Sequence, residues 1–197
     1  YTQVVAKVQP TARGKGLVVE GDHIVAAISG GVGSTAMLHL LGDMRSSVAN
    51  RKERGKVRFQ MEAVHIDEGC AYGMGCGMSA AHVSEIMSAA KVAAQGQCDV
   101  HVVPLENIFL SAETQEAEGE SGRAARRHKL ADLLSAVRDA TGREDLIAHL
   151  RMELLRATTQ RLGAKKLAIG SSATRCAITT IEMTCKGKGF ALPGSIQ

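Results

Sequence analysis

An apolar run that breaks at Ser29-Gly30-Gly31 and resumes with helical spacing, IVAAISGGVGSTAMLHLL over Ile24–Leu41, leaves this chain few ways to fold. It reads as a strand, a glycine-rich loop and a helix, the unit from which parallel α/β sheets are built. Gly30, Gly31 and Gly33 carry no Cβ, so the backbone bends tightly and brings several N–H groups up to a ligand. Ser34 and Thr35 are placed to cap the following helix, whose positive dipole end favours negative charge by about 0.3–1 kcal/mol. The natural guest of such a loop is a phosphate or pyrophosphate.

Three motifs compete for this loop. A Walker A loop requires a Lys before its Ser/Thr, and Gly33 stands there instead. Gly31, Gly33 and Ala36 fit the dinucleotide fingerprint G-x-G-x-x-A, but the acid expected about 20 residues on falls in a basic stretch, and Asp67 lies further away. Ser29–Ser34 also matches the pyrophosphatase-type loop S-G-G-x-D-S/T, with Gly33 in place of the acid. An ordinary tight βα turn that binds nothing stays open beside these.

Strand and helix signals alternate along the rest of the chain. Strands are expected at His23–Ile28, Phe59–Ile66, Cys98–Val103 and, short and buried, Lys166–Ile169. Helices are expected at Thr35–Met44, Ser79–Ala94 and Arg123–Ala140, with a fourth opened by the capping box Thr141-Gly142-Arg143-Glu144 and closed by Gly163. A second small-residue loop, Gly170–Thr174, follows the last strand. The fold class is therefore α/β, a doubly wound parallel sheet of about four to five strands with helices on both faces. The Ser29, Asp67 and Gly170 loops all fall at carboxyl ends of strands, where such sheets bind ligands. Residues 111–122, rich in Glu, Ser and Gly, read as a mobile acidic insertion. The 197 residues are expected to form one domain, and a chain opening at Tyr1 reads as part of a longer one.

Composition removes several function classes. Aromatics make up 3% and Trp is absent, which argues against base stacking on this chain. No run approaches the ~18 apolar residues of a membrane span, so no membrane partner is expected. Five cysteines with no C-x-x-C pair argue against a disulfide framework and a zinc ribbon, and suit a reducing, cytoplasmic setting. Cys70 and Cys76 flank a glycine-rich loop; a metal or sulfur species there competes with the plainer reading of small side chains in a turn. His149 could be a general base, but it lies in a helical stretch with no acidic partner evident, and a solvated or packing role is favoured. The net charge is +4. Arg51, Lys52 and Arg54 in one basic cluster, and Arg126 and Arg127 in another, are candidates for nucleic-acid phosphates, against the alternative of a solvated face.

The loop Ser29–Ser34, the strand end His65-Ile66-Asp67-Glu68-Gly69 and the block DLIAHLRMELLRATTQRLGAKKLAIGSSATRCAITTIEMTCKGKGFALP over 145–193 together resemble the PP-loop adenine-nucleotide α-hydrolases, and within them the cytoplasmic tRNA 2-thiolation protein 2 family. The resemblance implies a cytosolic complex that places sulfur on C2 of the wobble uridine of certain tRNAs. Its partners would be tRNA, a catalytic PP-loop subunit in a heterodimer and, indirectly, a ubiquitin-related sulfur carrier. Carried over by motif, the nucleotide residues would be Ser29, Gly30, Gly31, Ser34 and Thr35, then Asp67 and Glu68, then Gly170, Ser171 and Arg175. Binding of ATP or AMP is expected to be weak.

The departures from that pattern are equally specific. Catalytic PP-loop enzymes carry Asp where Gly33 stands, and Gly33→Asp is expected to improve metal–pyrophosphate affinity. Catalytic thiolation subunits carry a C-x-x-C where Asp145–Leu150 has no sulfur, and His-Asn-Ala-Asp-Asp where Ser171–Arg175 stands. The resemblance therefore implies a non-catalytic subunit, with no catalytic residue and no metal ligand. The alternatives are a nucleotide-binding module, or an ATP-dependent adenylating enzyme acting on another substrate.

Overall fold

The computed structural model describes residues 17–45, 57–73, 80–96, 98–110 and 120–192. Four parallel strands form the sheet: β1 (His23–Ala27), β2 (Gln60–Asp67), β3 (Asp99–Pro104) and β4 (Lys166–Ile169), in the order β3-β2-β1-β4. Helix α1 (Val32–Met44) joins β1 to β2, and α2 (Ala80–Ala93) joins β2 to β3. The return past β1 runs through α3 (Glu120–Ser135) and α4 (Ala140–Arg161), and α5 (Ala173–Cys185) follows β4. Because crossovers keep one hand, reversing the strand order puts α1 and α2 on one face and α3 and α4 on the other. The doubly wound expectation holds with four strands, and the switch point lies between β1 and β4.

Alternation along the strands divides the core in two. Ile24, Ala26, Ile28, Met61 and Ala63 pack against Leu38, Leu41 and Met44 of α1 and Ile86, Ala90 and Ala93 of α2. Val25, Val64, Ile66 and Val103 pack against Leu130 and Leu134 of α3 and Ile147, Leu154 and Leu155 of α4. Small residues set the spacing on the first face: a Cβ on Gly42 would come within 3.3 Å of the Ala93 carbonyl oxygen, so α1 and α2 lie almost backbone to backbone. That closeness leaves little room for aromatic rings, consistent with a core of Leu, Met, Val and Ala.

Several boundaries differ from the sequence expectation. The α4 N-cap is Asp139, whose carboxylate accepts the Gly142 N–H, so Thr141 lies inside the first turn; the cap stands two residues before the expected one and, with Gly142 at N3, is not a capping box. Gly163 does end this helix, at φ +72°. Glu120–Gly122, expected in the mobile insertion, are the first residues of α3, while 111–119 lie outside the described residues. Strand β4 is half-buried and forms a sheet edge, with Ile169 exposed, because only β1 pairs with it. Among the described residues no helix is long and apolar enough to cross a membrane.

Candidate functional site

The loop after β1 turns where glycine is required. Gly30 has φ +78°, a conformation that costs an L-residue about 1–2 kcal/mol, and a Cβ there would meet Ile86 Cδ1 at 3.1 Å. Gly31 is the N-cap of α1 in extended conformation, and no side chain caps the helix. This corrects the capping role expected of Ser34 and Thr35, which lie one turn too late. Their hydroxyls instead donate back to the Gly31 carbonyl, at 2.9 and 3.1 Å, and the buried Ser34 Oγ also accepts the Ser29 N–H at 3.2 Å. Ser34 is thus a brace inside the loop, and the Ser29 amide is already engaged. The first-turn amides of Val32, Gly33 and Ser34 have no side-chain acceptor, which leaves them to water or an anion.

The second loop reaches the first through backbone. A Cβ on Gly33 would lie 2.9 Å from the Gly170 carbonyl oxygen, and one on Gly170 would lie 2.5 Å from the Gly33 carbonyl oxygen and 2.7 Å from Ser34 Cα. The two glycines therefore interlock across the β1/β4 switch point. Any side chain at 33 must push the second loop away, so an Asp there enters only with a shift of the Gly170 loop. Ser171 and Arg175 are exposed, and Ser172 caps α5 by accepting the Arg175 N–H at 3.2 Å.

Asp67 and Glu68 do not join this pair of loops through their side chains. Asp67 Oδ1 accepts the Gly69 N–H at 2.9 Å, closing its own turn, and Glu68 forms an ion pair with Arg151 of α4. Beside them Cys70 donates its thiol to Glu106 Oε2 at 3.0 Å. Burial, reinforced by that carboxylate, pushes the Cys70 thiol up to about 12, so it is protonated and a poor nucleophile at neutral pH. Glu106 is 1% exposed and also receives Arg123 Nε at 3.1 Å and Arg127 Nε at 3.0 Å. Burial works to raise its carboxyl, but the hydrogen bonds from Cys70, its own backbone, Arg123 and Arg127 outweigh it and hold the group below the usual carboxylate range.

Of the basic candidates, Arg127 extends an exposed guanidinium that is already committed to Glu106, and Arg126 beside it is half-buried. Arg51, Lys52 and Arg54 lie outside the described residues, as does Cys76. His149 sits exposed within α4.

A cleft of about 210 Å³ opens beside the first loop, between α1 and α2, lined by Ile28, Ser29, Gly30, Thr35, Ile86 and Ala90 among others. Next to Ile28 stands His65, which the sequence reading quoted in its strand end but gave no role. It is 4% exposed, its Nδ1 lies 2.8 Å from the Ile28 carbonyl oxygen, and its Nε2 is buried without a hydrogen-bond partner. A histidine in the last turn-ward positions of a core strand was the available signal, since imidazole is an uncommon filler for an apolar layer.

No family model matches the chain. It is similar to proteins named cytoplasmic tRNA 2-thiolation protein 2, sharing 27% identity over 185 residues with that of Arabidopsis thaliana, which spans 92% of this chain and 38% of the relative. The Dictyostelium discoideum relative is 26% identical over 88% of this chain and 30% of its own length, and the Bos taurus relative 25% identical over 89% and 43%. The chain thus spans less than half of each of these relatives. Among solved structures it resembles the U34-tRNA thiolase NcsA from Methanococcus maripaludis with its [4Fe-4S] cluster, at a TM-score of 0.59 and 12% identity over 94% of this chain and 50% of that one. At that identity the likeness is one of fold.

The described donors do not suit an iron–sulfur cluster. Asp145–Leu150 lie inside α4, where Asp145 accepts Lys186 Nζ at 2.7 Å and Lys188 Nζ at 3.2 Å. Cys70 is bound to Glu106, Cys98 is buried at the start of β3, and among the described residues no three His, Cys, Asp or Glu side chains gather as a metal site.

Proposed function

We propose that this chain belongs to a cytoplasmic assembly that thiolates the wobble uridine of tRNA, and that it serves there as a non-catalytic subunit supporting tRNA binding and pairing with a catalytic PP-loop subunit. The observation that carries the reading is the interlock of Gly33 and Gly170. The position at which catalytic loops hold an acid is occupied by backbone contact, while the strand, loop and helix around it are retained. The relatives' names support the pathway, and their greater length supports taking residues 1–197 as a single α/β domain of a larger protein.

In such an assembly the uridine C2 oxygen is adenylated by ATP with release of pyrophosphate. Sulfur from the thiocarboxylate of a ubiquitin-related carrier then displaces AMP. Both steps belong to the catalytic partner. Here Cys70 is held protonated and Gly33 has no side chain to offer. The contribution of this chain is scaffold: an uncapped helix start, with Ser29, Gly30, Gly31, Ser34 and Thr35 shaping a weak AMP or ATP site, and basic residues for the tRNA backbone. Asp67, Glu68, Ser171 and Arg175 frame that site from neighbouring loops.

The test is thiouridine formation in tRNA with ATP and a thiocarboxylate donor, using this chain, a cysteine-bearing PP-loop partner, and both. Activity is expected from the pair above that of the partner and none from this chain alone. Turnover by this chain alone that is sensitive to Cys176→Ser or Cys185→Ser overturns the proposal. Replacing Arg51, Lys52 and Arg54 together by Ala should shallow the log–log salt dependence of tRNA binding, by about 0.7–0.9 per lost phosphate contact. An identical slope removes that stripe from the interface.

A further inference from the structure

Glu106 holds one more cation than its own charge requires. It follows β3 directly and is buried, and Arg123 and Arg127, one turn apart on α3, both donate Nε–H to its Oε1, at 3.1 and 3.0 Å. One guanidinium neutralises one carboxylate, and the Cys70 thiol on Oε2 is protonated, so the second guanidinium leaves the cluster with a net positive charge. A contact that only fastened α3 to the sheet would need no such excess, and apolar side chains of similar volume fasten as well without desolvating a charge.

The carboxylate is buried but its two arginines are not: their side chains are 44% and 51% exposed. A guanidinium carries five N–H donors, and each of these uses only Nε–H on Glu106; no described hydrogen bond engages their Nη nitrogens. Because both bonds end on the same oxygen, the two heads are held side by side, and the side-chain freedom that an unanchored arginine loses on binding has already been given up in the fold. Around them α3 carries Arg126 and Lys129 against Glu120 and Asp132, so its field also favours an anion.

We infer that Arg123 and Arg127 form a two-armed fork for a backbone phosphate of tRNA, and that Glu106 is the positioning residue that orients it. The inference rests on the reading that this chain supports tRNA binding, and it places one contact of that binding on α3. Planar guanidinium forks match the oxygens of a phosphate, whereas an ammonium acts on it as a point charge.

The experiment measures tRNA binding to the whole chain across a salt series. Arg123→Gln combined with Arg127→Gln should weaken binding about tenfold near physiological salt and shallow the log–log salt slope by about 0.7–0.9, the share of one phosphate contact. Arg123→Lys combined with Arg127→Lys keeps both charges but neither fork; it should keep the slope and bind about three- to tenfold more weakly at every salt concentration. Removing a negative charge by itself tightens binding to a polyanion. Glu106→Met should do the reverse and weaken binding about three- to tenfold, with no further loss when it is combined with the lysine pair.

If wild type binds no tRNA, the tRNA reading falls first and this inference with it. If wild type binds and the glutamine pair matches it in affinity and slope, the fork is overturned while other basic residues carry the tRNA. A glutamine pair that binds tRNA normally but no longer co-purifies with a cysteine-bearing PP-loop partner shows that the arginines dock protein, which also overturns the inference. A lysine pair that binds like wild type leaves charge alone and overturns the oriented fork. Tighter binding by Glu106→Met, or a loss that adds in full to that of the lysine pair, removes Glu106 from the positioning role. The arginine variants decide the fork even if Glu106→Met does not fold.

Discussion

The two faces of the sheet are built from the same aliphatic residues but treat polar groups in opposite ways. On the α3/α4 face the carboxylates near the strand ends are engaged: Glu106 by Cys70, Arg123 and Arg127, and Glu68 by Arg151. On the α1/α2 face the helix start is uncapped, a cleft opens, and His65 Nε2 has no partner. Buried charges persist only when paired, so the first face is closed by its own electrostatics. The second leaves polar groups that the fold does not satisfy. The difference separates neighbouring loops at the same end of one sheet: the side chains of the Asp67–Glu68 loop are engaged by its own turn and by α4, whereas the Ser29 loop, though braced by Ser34 and Gly170, leaves the first-turn amides of α1 without a side-chain acceptor.

The contrast is broken most severely at Glu106. Glu106→Ala strands two guanidiniums and a thiol; because Arg123 and Arg127 can still reach water, the expected loss is about 2–3 kcal/mol in urea unfolding. Its sign with pH is fixed. The folded carboxyl is held below its ordinary value of 4.5, so its stabilisation is complete above that value and is lost as pH falls through the lowered one. Glu106→Gln should therefore flatten the acid side of the stability profile, and an unchanged profile would mean that the clamp is not ionic.

Next in size is the loop interlock. Gly170→Ala places a methyl 2.5 Å from the Gly33 carbonyl oxygen, and overpacking of this kind costs about 1–3 kcal/mol. Gly33→Asp should lower thermal stability as well, and calorimetry with pyrophosphate and a divalent cation should show no gain in affinity. Gly30→Ala is milder, about 1–2 kcal/mol from its positive φ, since the Ile86 side chain can yield. The smallest effect is kinetic. In peptide-mapped alkylation at pH 8, Cys70 should react far more slowly than the exposed Cys185, gaining about tenfold per pH unit up to its value of about 12. Comparable rates would show that Cys70 is not bound to Glu106.

Much of the architecture was legible because periodicity reports burial. Ile24, Ala26 and Ile28 alternate with Val25 and Ala27, and the helices repeat at helical spacing, so strands, order of elements and fold class follow from local pattern. Boundaries were less legible where two capping signals compete, as at Asp139 and Thr141, and chain direction alone does not choose between them. The loop after β1 was recognisable as glycine-rich, yet the use of Ser34 as a brace depends on where α1 starts, one turn earlier than Thr35.

By itself the sequence determined that this chain would form a parallel α/β sheet with a glycine loop after its first strand, because hydrophobic period and missing Cβ atoms are local properties. It also determined which chemical parts are absent, since a side chain that is not encoded cannot appear. Only the tertiary structure decided that Gly33 is closed by Gly170, that Glu106 holds Arg123 and Arg127, and that His65 grips Ile28. These contacts join residues 137, 17, 21 and 37 positions apart. Their partners are chosen by the crossover that brings strands together, which no local pattern encodes.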